Sequence, residues 1–172
     1  MRCKRSFYTR PTLVVARDLL GKYLVYKNKT GKIVEVEAYI GQDDLACHAA
    51  RGKTERNQVM FKKGGYAYVY IIYGLYNCLN ITTEKENFPA AILIRGIEHP
   101  EANGPGKLCR YFSITRKDNG LDLTRSDLYI EDRGKPKGSV VQTPRIGIDY
   151  AGKSAKLPWR FVIKNSPFLP RK

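Results

Sequence analysis

From Tyr66 to Thr82 the chain reads YAYVYIIYGLYNCLNIT, two β-rich runs joined around Gly74. Aromatic and β-branched residues at this density suit a pleated strand, and the glycine predicts a hairpin bending near Tyr73 to Tyr76. A second hairpin is expected from Lys22 to Lys27 and Lys32 to Tyr39, with Asn28-Lys29-Thr30-Gly31 as its turn. Ala90 to Ile97 (AAILIRGI) reads as a further, mostly buried strand carrying one charge, Arg95. Ser126 to Glu131, Arg145 to Ile148 and Arg160 to Ile163 are short closing strands on the same reading.

Helices are interspersed with these strands. The first is expected from Thr9 to Leu20, with Thr9 as cap, Pro11 in the first turn and Gly21 past the end. Leu13, Ala16 and Leu20 give it an apolar face. Asp43 to Ala50 is short and helix-like, and Thr54 can cap a helix running through Phe61 to Gly64-Gly65. Gly104-Pro105-Gly106-Lys107 opens another, whose free amides and Lys107 suit a phosphate or simply form a loop-to-helix junction. Arg133 to Gly138 is a basic loop. The expectation is one mixed α+β domain over residues 1–172.

The chain has 172 residues, 42% hydrophobic, which is enough for a core and too apolar for a disordered chain. No stretch approaches the roughly 20 apolar residues of a membrane span, and the start lacks the apolar core of a secretory signal. No membrane partner is therefore expected. With 31 Lys plus Arg against 16 Asp plus Glu, the formal charge is +15. Such an excess favours a polyanion, because each cation placed on a phosphate releases condensed counterions. Cys3, Cys47, Cys78 and Cys109 lie far apart and form no zinc pattern, which suggests free thiols in a reducing, cytoplasmic setting.

On the strand Ile33 to Tyr39, Val34, Val36 and Ala38 point one way and Glu35, Glu37 and Tyr39 the other. Two acids on one face, about 7 Å apart, suit a metal, an acid–base pair or plain exposure to water. A carboxylate can also activate water or stabilise a positive sugar transition state. Of twelve tyrosines, five fall between Tyr66 and Tyr76. Rings beside basic residues suit base stacking, and a ring on a hairpin tip suits a wedge, although the same pattern fits a tyrosine-rich core strand. His48 read alone suits a structural histidine. Arg95, inside an apolar strand, needs an acidic partner, and Glu35 or Glu37 can supply it.

Five segments then fall in one order: Ile33 to Tyr39, Ala46-Cys47-His48, Tyr68 to Gly74 with Cys78 and Asn80, Ile94 to Glu98 with Pro100, and Gly104 to Cys109. Together they resemble the alkyladenine (3-methyladenine) DNA glycosylase family of base-excision repair, from about Phe7 to Pro167. The resemblance implies a curved antiparallel sheet with surrounding helices and a protruding β-hairpin. It implies that Glu37 is the general base for the attacking water, with Arg95 and the main-chain carbonyl of Ile146 holding that water. Tyr39, His48 and Tyr70 would wall the pocket that stacks the flipped base. Asn80 would obstruct an exocyclic amino group, and Tyr73 would enter the minor groove. The implied enzyme is monofunctional, needs no metal or cofactor, acts as a monomer and takes double-stranded DNA with alkylated or deaminated purines. Two rival readings remain: a metal-dependent nuclease built on Glu35 and Glu37, and a catalytically inert nucleic-acid-binding module.

Overall fold

A computed structural model describes residues 1–134 and 138–169. Its frame is a curled antiparallel half-barrel of eight strands among the described residues: β1 (Tyr23–Tyr26), β2 (Lys29–Ile40), β3 (Ala67–Ile72), β4 (Tyr76–Thr82), β5 (Ala90–Ile97), β6 (Leu128–Glu131), β7 (Val140–Thr143) and β8 (Arg160–Ile163). The order is β3-β4-β5-β2-β1-β6, with β8 also beside β2 and β7 beside β8. The twelve-residue β2 organises the sheet. Its residues 29–32 pair with β1, its remainder with β5, and residues 35–37 with β8.

The alternation of β2 decides which face does what. Val34, Val36 and Ala38 are buried in the main core, beneath α2 (Thr12–Leu19) and α3 (Pro105–Phe112). Glu35, Glu37 and Tyr39 point to the opposite face, as period-2 alternation requires. There a smaller cluster of Cys47, Ala49, Val59, Met60, Phe61, Tyr68 and Ala91 packs against Tyr39 and Tyr70. All four cysteines are buried free thiols.

Several expected elements differ. The helix expected from Thr9 to Leu20 begins only at Thr12, as α2, with a separate short helix α1 (Arg5–Tyr8) ahead of it, because Pro11 disfavours helical geometry at the residue before it and sits as the cap of α2. The first hairpin turns at Lys27-Asn28, so Thr30 and Gly31 lie inside β2. Gly31 marks a close approach there, since a Cβ would stand 2.1 Å from Ile97 Cδ1. Residues 43–50 form turns in place of a helix. Asp44 accepts the amides of Ile40 and Ala46, and such local bonds compete with helical ones. Thr54 does accept the amide of Asn57, but only a 3-10 turn, Gln58–Phe61, follows. Residues 145–148 are a loop rather than a strand. Gly147 has φ +74, and the Arg145 side chain is drawn inward. β7 was not anticipated. The centre of the basic loop, residues 135–137, lies outside the described residues. No helix of the described residues is long and apolar enough to cross a membrane.

Candidate active site

One row of register runs across five strands: Arg160 of β8, Glu37 of β2, Leu93 of β5, Asn80 of β4 and Tyr68 of β3. Directly paired residues share a face, so the row gathers residues distant in sequence. The register between β2 and β5 slips beside it. Glu35 pairs with Gly96 but Val36 with Ile94, which leaves Arg95 as the extra residue of a bulge. Bulges re-aim a side chain, and this one brings Arg95 to both acids. Arg95 Nε donates to Glu35 Oε1 at 3.0 Å, and Arg95 Nη1 lies 3.6 Å from Glu37 Oε2.

Arg160 completes the cluster, donating from Nε to the same Glu35 oxygen at 2.7 Å. The two carboxylates are thus fully buried with two partly buried guanidinium groups against them, as unpaired charges could not be. Burial works against the charge of Arg95, but Glu37 and Glu35 outweigh it and raise its pKa. Glu37 is held from two further sides. The Ile146 amide donates to Oε1 at 2.7 Å and the Tyr39 hydroxyl to Oε2 at 2.8 Å. Burial and the neighbouring Glu37 push the Tyr39 hydroxyl far above its ordinary range, so it remains a donor.

In front of this cluster lies a cavity of about 620 Å³, lined by Tyr39, His48, Tyr68, Tyr70, Asn80, Arg95 and Ile146, with Tyr73 and Gly74 among its lining residues. Glu37 is fully buried and stands just behind this wall, in contact with three of its members, Tyr39, Arg95 and Ile146. His48 meets the Tyr70 ring edge-on at 4.3 Å, and its Nδ1 lies 2.9 Å from the Tyr68 hydroxyl. His48 is exposed at the cavity surface, with its ring lodged against Tyr68 and Tyr70. Desolvation by its neighbours, with Arg56 nearby, lowers its pKa and favours the neutral ring. Burial pushes Tyr68 up to about 12. Asn80 is buried, its Nδ2 donating to the Tyr68 carbonyl at 3.3 Å.

The hairpin tip is a tight turn in which the Leu75 amide donates to the Ile72 carbonyl. Tyr73 (φ +52) and Gly74 (φ +65) are its central residues, and positive φ at both is the type I′ pattern. Asn, Asp or Gly ordinarily fills the first position. A tyrosine there costs about 1–2 kcal/mol, and its ring is nonetheless 87% exposed. Gly106 of α3 supports the hairpin base, since a Cβ there would come within 3.1 Å of Tyr76. Lys107 turns its ammonium to Asn103 at 3.2 Å.

All eight residues expected from the sequence are therefore on or directly behind one cavity. Ile146 also contacts Glu37 through its amide, a bond that neither the residue pattern nor the family resemblance had indicated. Sequence reasoning missed Arg160, Arg145 and Asp44. Arg145 is fully buried and grips Asp44 at 2.7 and 2.9 Å. The one signal available was Arg145 as a lone cation ahead of an apolar pair, and that pattern does not name a partner.

The model of the methylpurine-DNA glycosylase family matches residues 6–167. The chain belongs to that family. A Methanocella arvoryzae protein provisionally named 3-methyladenine DNA glycosylase is 52% identical over 98% of this chain and 95% of its own length. Proteins of the same provisional name from a Wolbachia strain of Brugia malayi and from Clostridium novyi are 56% and 46% identical. They cover 92% and 99% of this chain, and 95% and 99% of their own lengths. The chain is thus a DNA N-glycosylase, with DNA as its substrate. The curled α+β sheet and protruding hairpin agree with what the sequence resemblance implied.

Proposed function

We propose that this glycosylase, acting as a monomer on cytoplasmic or nucleoid DNA, flips alkylated or deaminated purines out of the duplex and hydrolyses their N-glycosidic bond. The observation that carries this reading is Glu37. Its buried carboxylate is oriented by Ile146, Tyr39 and Arg95 directly behind a tyrosine-walled cavity large enough for a purine.

Flipping costs a few kcal/mol, less for a weakened pair. Tyr73 fills the space the base leaves, and Tyr39, His48 and Tyr70 stack on the base in the cavity. An alkylated purine that carries positive charge gains cation–π attraction from the tyrosine faces. Neutral His48 adds no opposing charge. Asn80, buried and tied to the Tyr68 carbonyl, obstructs bases with a guanine-type amino group.

The bond between C1′ and the purine nitrogen then breaks, its electron pair leaving with the base. The sugar becomes oxocarbenium-like, and the Glu37 carboxylate stabilises that charge. Water adds to C1′ and gives its proton to Glu37. Both Glu37 oxygens retain a lone pair beyond the donors described, so a water can be accepted. Arg95 and Ile146, with its amide on Glu37 and its carbonyl as a further acceptor, flank the attacking water. A cationic base leaves neutral without further protonation, whereas a neutral deaminated base takes up one proton from solvent as its bond breaks. No step calls on a metal or cofactor, or on a lysine Schiff base.

A nuclease using Glu35 and Glu37 fits less well, because Glu35 already carries Arg95 and Arg160 on one oxygen. The deciding test is incubation with duplexes bearing 3-methyladenine, hypoxanthine or 1,N6-ethenoadenine in excess EDTA. Free base and abasic sites are expected with the strand intact. Strand cleavage that the chelator stops would establish the nuclease, and binding without base release the inert module.

A further inference from the structure

We infer that the buried Asp44–Arg145 pair sets how well the cavity accepts a positively charged base, an inference that rests on the stacking role proposed for Tyr39. The two side chains are joined by paired hydrogen bonds and are shut off from solvent. The Arg145 guanidinium lies over the Tyr39 ring at 4.7 Å and over the Trp159 ring at 5.1 Å. Tyr39 lines the cavity, whereas neither Arg145 nor Asp44 does. The cation therefore stands behind the wall on which the base is to stack.

An aromatic ring offers a negative face on each side. A cation against one face draws on the same quadrupole that a cationic base uses on the other, and the two positive charges repel. At the effective dielectric of a protein site, a uncompensated unit charge behind the ring lowers affinity for a cation in front of it by about tenfold. Asp44 supplies the compensating charge. A neutral base feels the packing of this pair but not its net charge, so Asp44 acts through Arg145 and Tyr39 as a specificity-determining residue.

Both side chains also hold backbone. Asp44 accepts the amides of Ile40 and Ala46, and Arg145 donates to the carbonyls of Ala38 and Ser154. Structural damage from a substitution thus falls on charged and neutral lesions alike, and the ratio between them isolates the electrostatic part.

The experiment compares the unsubstituted enzyme with Asp44→Asn and Arg145→Met. One readout is kcat/KM for 3-methyladenine release from freshly methylated duplex DNA. The other is capture of 1,N6-ethenoadenine, which is uncharged and whose fluorescence reports flipping whether or not it is cut. Asp44→Asn should lower the charged-to-neutral ratio by about tenfold, and Arg145→Met should shift it in the opposite direction. If one variant fails to fold, the direction of the other's ratio decides. Equal losses on both bases, or a shift of the wrong sign, overturn the inference. An unsubstituted enzyme that neither releases 3-methyladenine nor captures ethenoadenine overturns the proposed function instead.

Discussion

The main-chain amide of Ile146 donates a 2.7 Å hydrogen bond to Glu37 Oε1, joining positions 109 residues apart. This bond couples the orientation of the carboxylate to the 145–148 loop, and that loop is anchored by the buried Arg145. The site is therefore a property of the closed sheet, because no single segment holds Glu37 in place.

Glu37→Gln keeps the size of the side chain and an oxygen for the Ile146 amide, but removes the base. Release of 3-methyladenine should fall by at least about 10²-fold, the range general-base catalysis supplies. Affinity for the damaged duplex should stay within a few-fold. Single-turnover base release and an electrophoretic shift check the two halves.

Tyr73→Gly relieves a left-handed backbone at an exposed position. Thermal stability should stay level or rise, with a gain of up to about 1 kcal/mol. Capture of a damaged base should weaken by about 1–3 kcal/mol, the worth of one stacked ring. Melting and ethenoadenine fluorescence measured on the same sample separate the effects. An unchanged capture equilibrium removes the wedge role.

Glu35→Gln leaves Arg95 and Arg160 facing each other without their shared carboxylate. Breaking a buried pair in this way costs about 3–5 kcal/mol. The urea midpoint should drop accordingly. Base release should slow as well, because Arg95 loses the tether that sets it beside Glu37.

His48 has a lowered pKa in the folded protein, chiefly from desolvation. Below the ordinary imidazole value of 6.5 the unfolded chain binds a proton that the folded ring resists. His48 therefore makes stability fall as pH drops below that value and contributes no slope above it. Denaturant titrations from pH 5 to 8 should show this slope, and His48→Gln should flatten it.

Alternation along β2 was legible from residue types alone, and it placed Glu35, Glu37 and Tyr39 on one face correctly. The Tyr73-Gly74 bend was legible too, since two β-rich runs around one glycine leave few other conformations. The helix expected from Thr9 to Leu20 formed but starts three residues late, at Thr12, because local sterics at Pro11 outweigh apolar periodicity there. Gly31 looked like a turn residue because its real constraint, the Ile97 side chain, lies 66 residues away. Asp43 to Ala50 looked helical because nothing local announces that Asp44 bonds the backbone and Arg145.

The sequence by itself determined the strand faces, the hairpin, the need of Arg95 for an acid and, through an ordered set of motifs, the family. Tertiary structure decided which charges meet. Arg160 shares Glu35 with Arg95, Arg145 takes Asp44, and Ile146 reaches Glu37 by its amide. Periodicity is a local property of backbone geometry, so it can be read along the chain. Pairing of buried charges depends on sheet register and on a bulge, which exist only once strands distant in sequence have closed on one another.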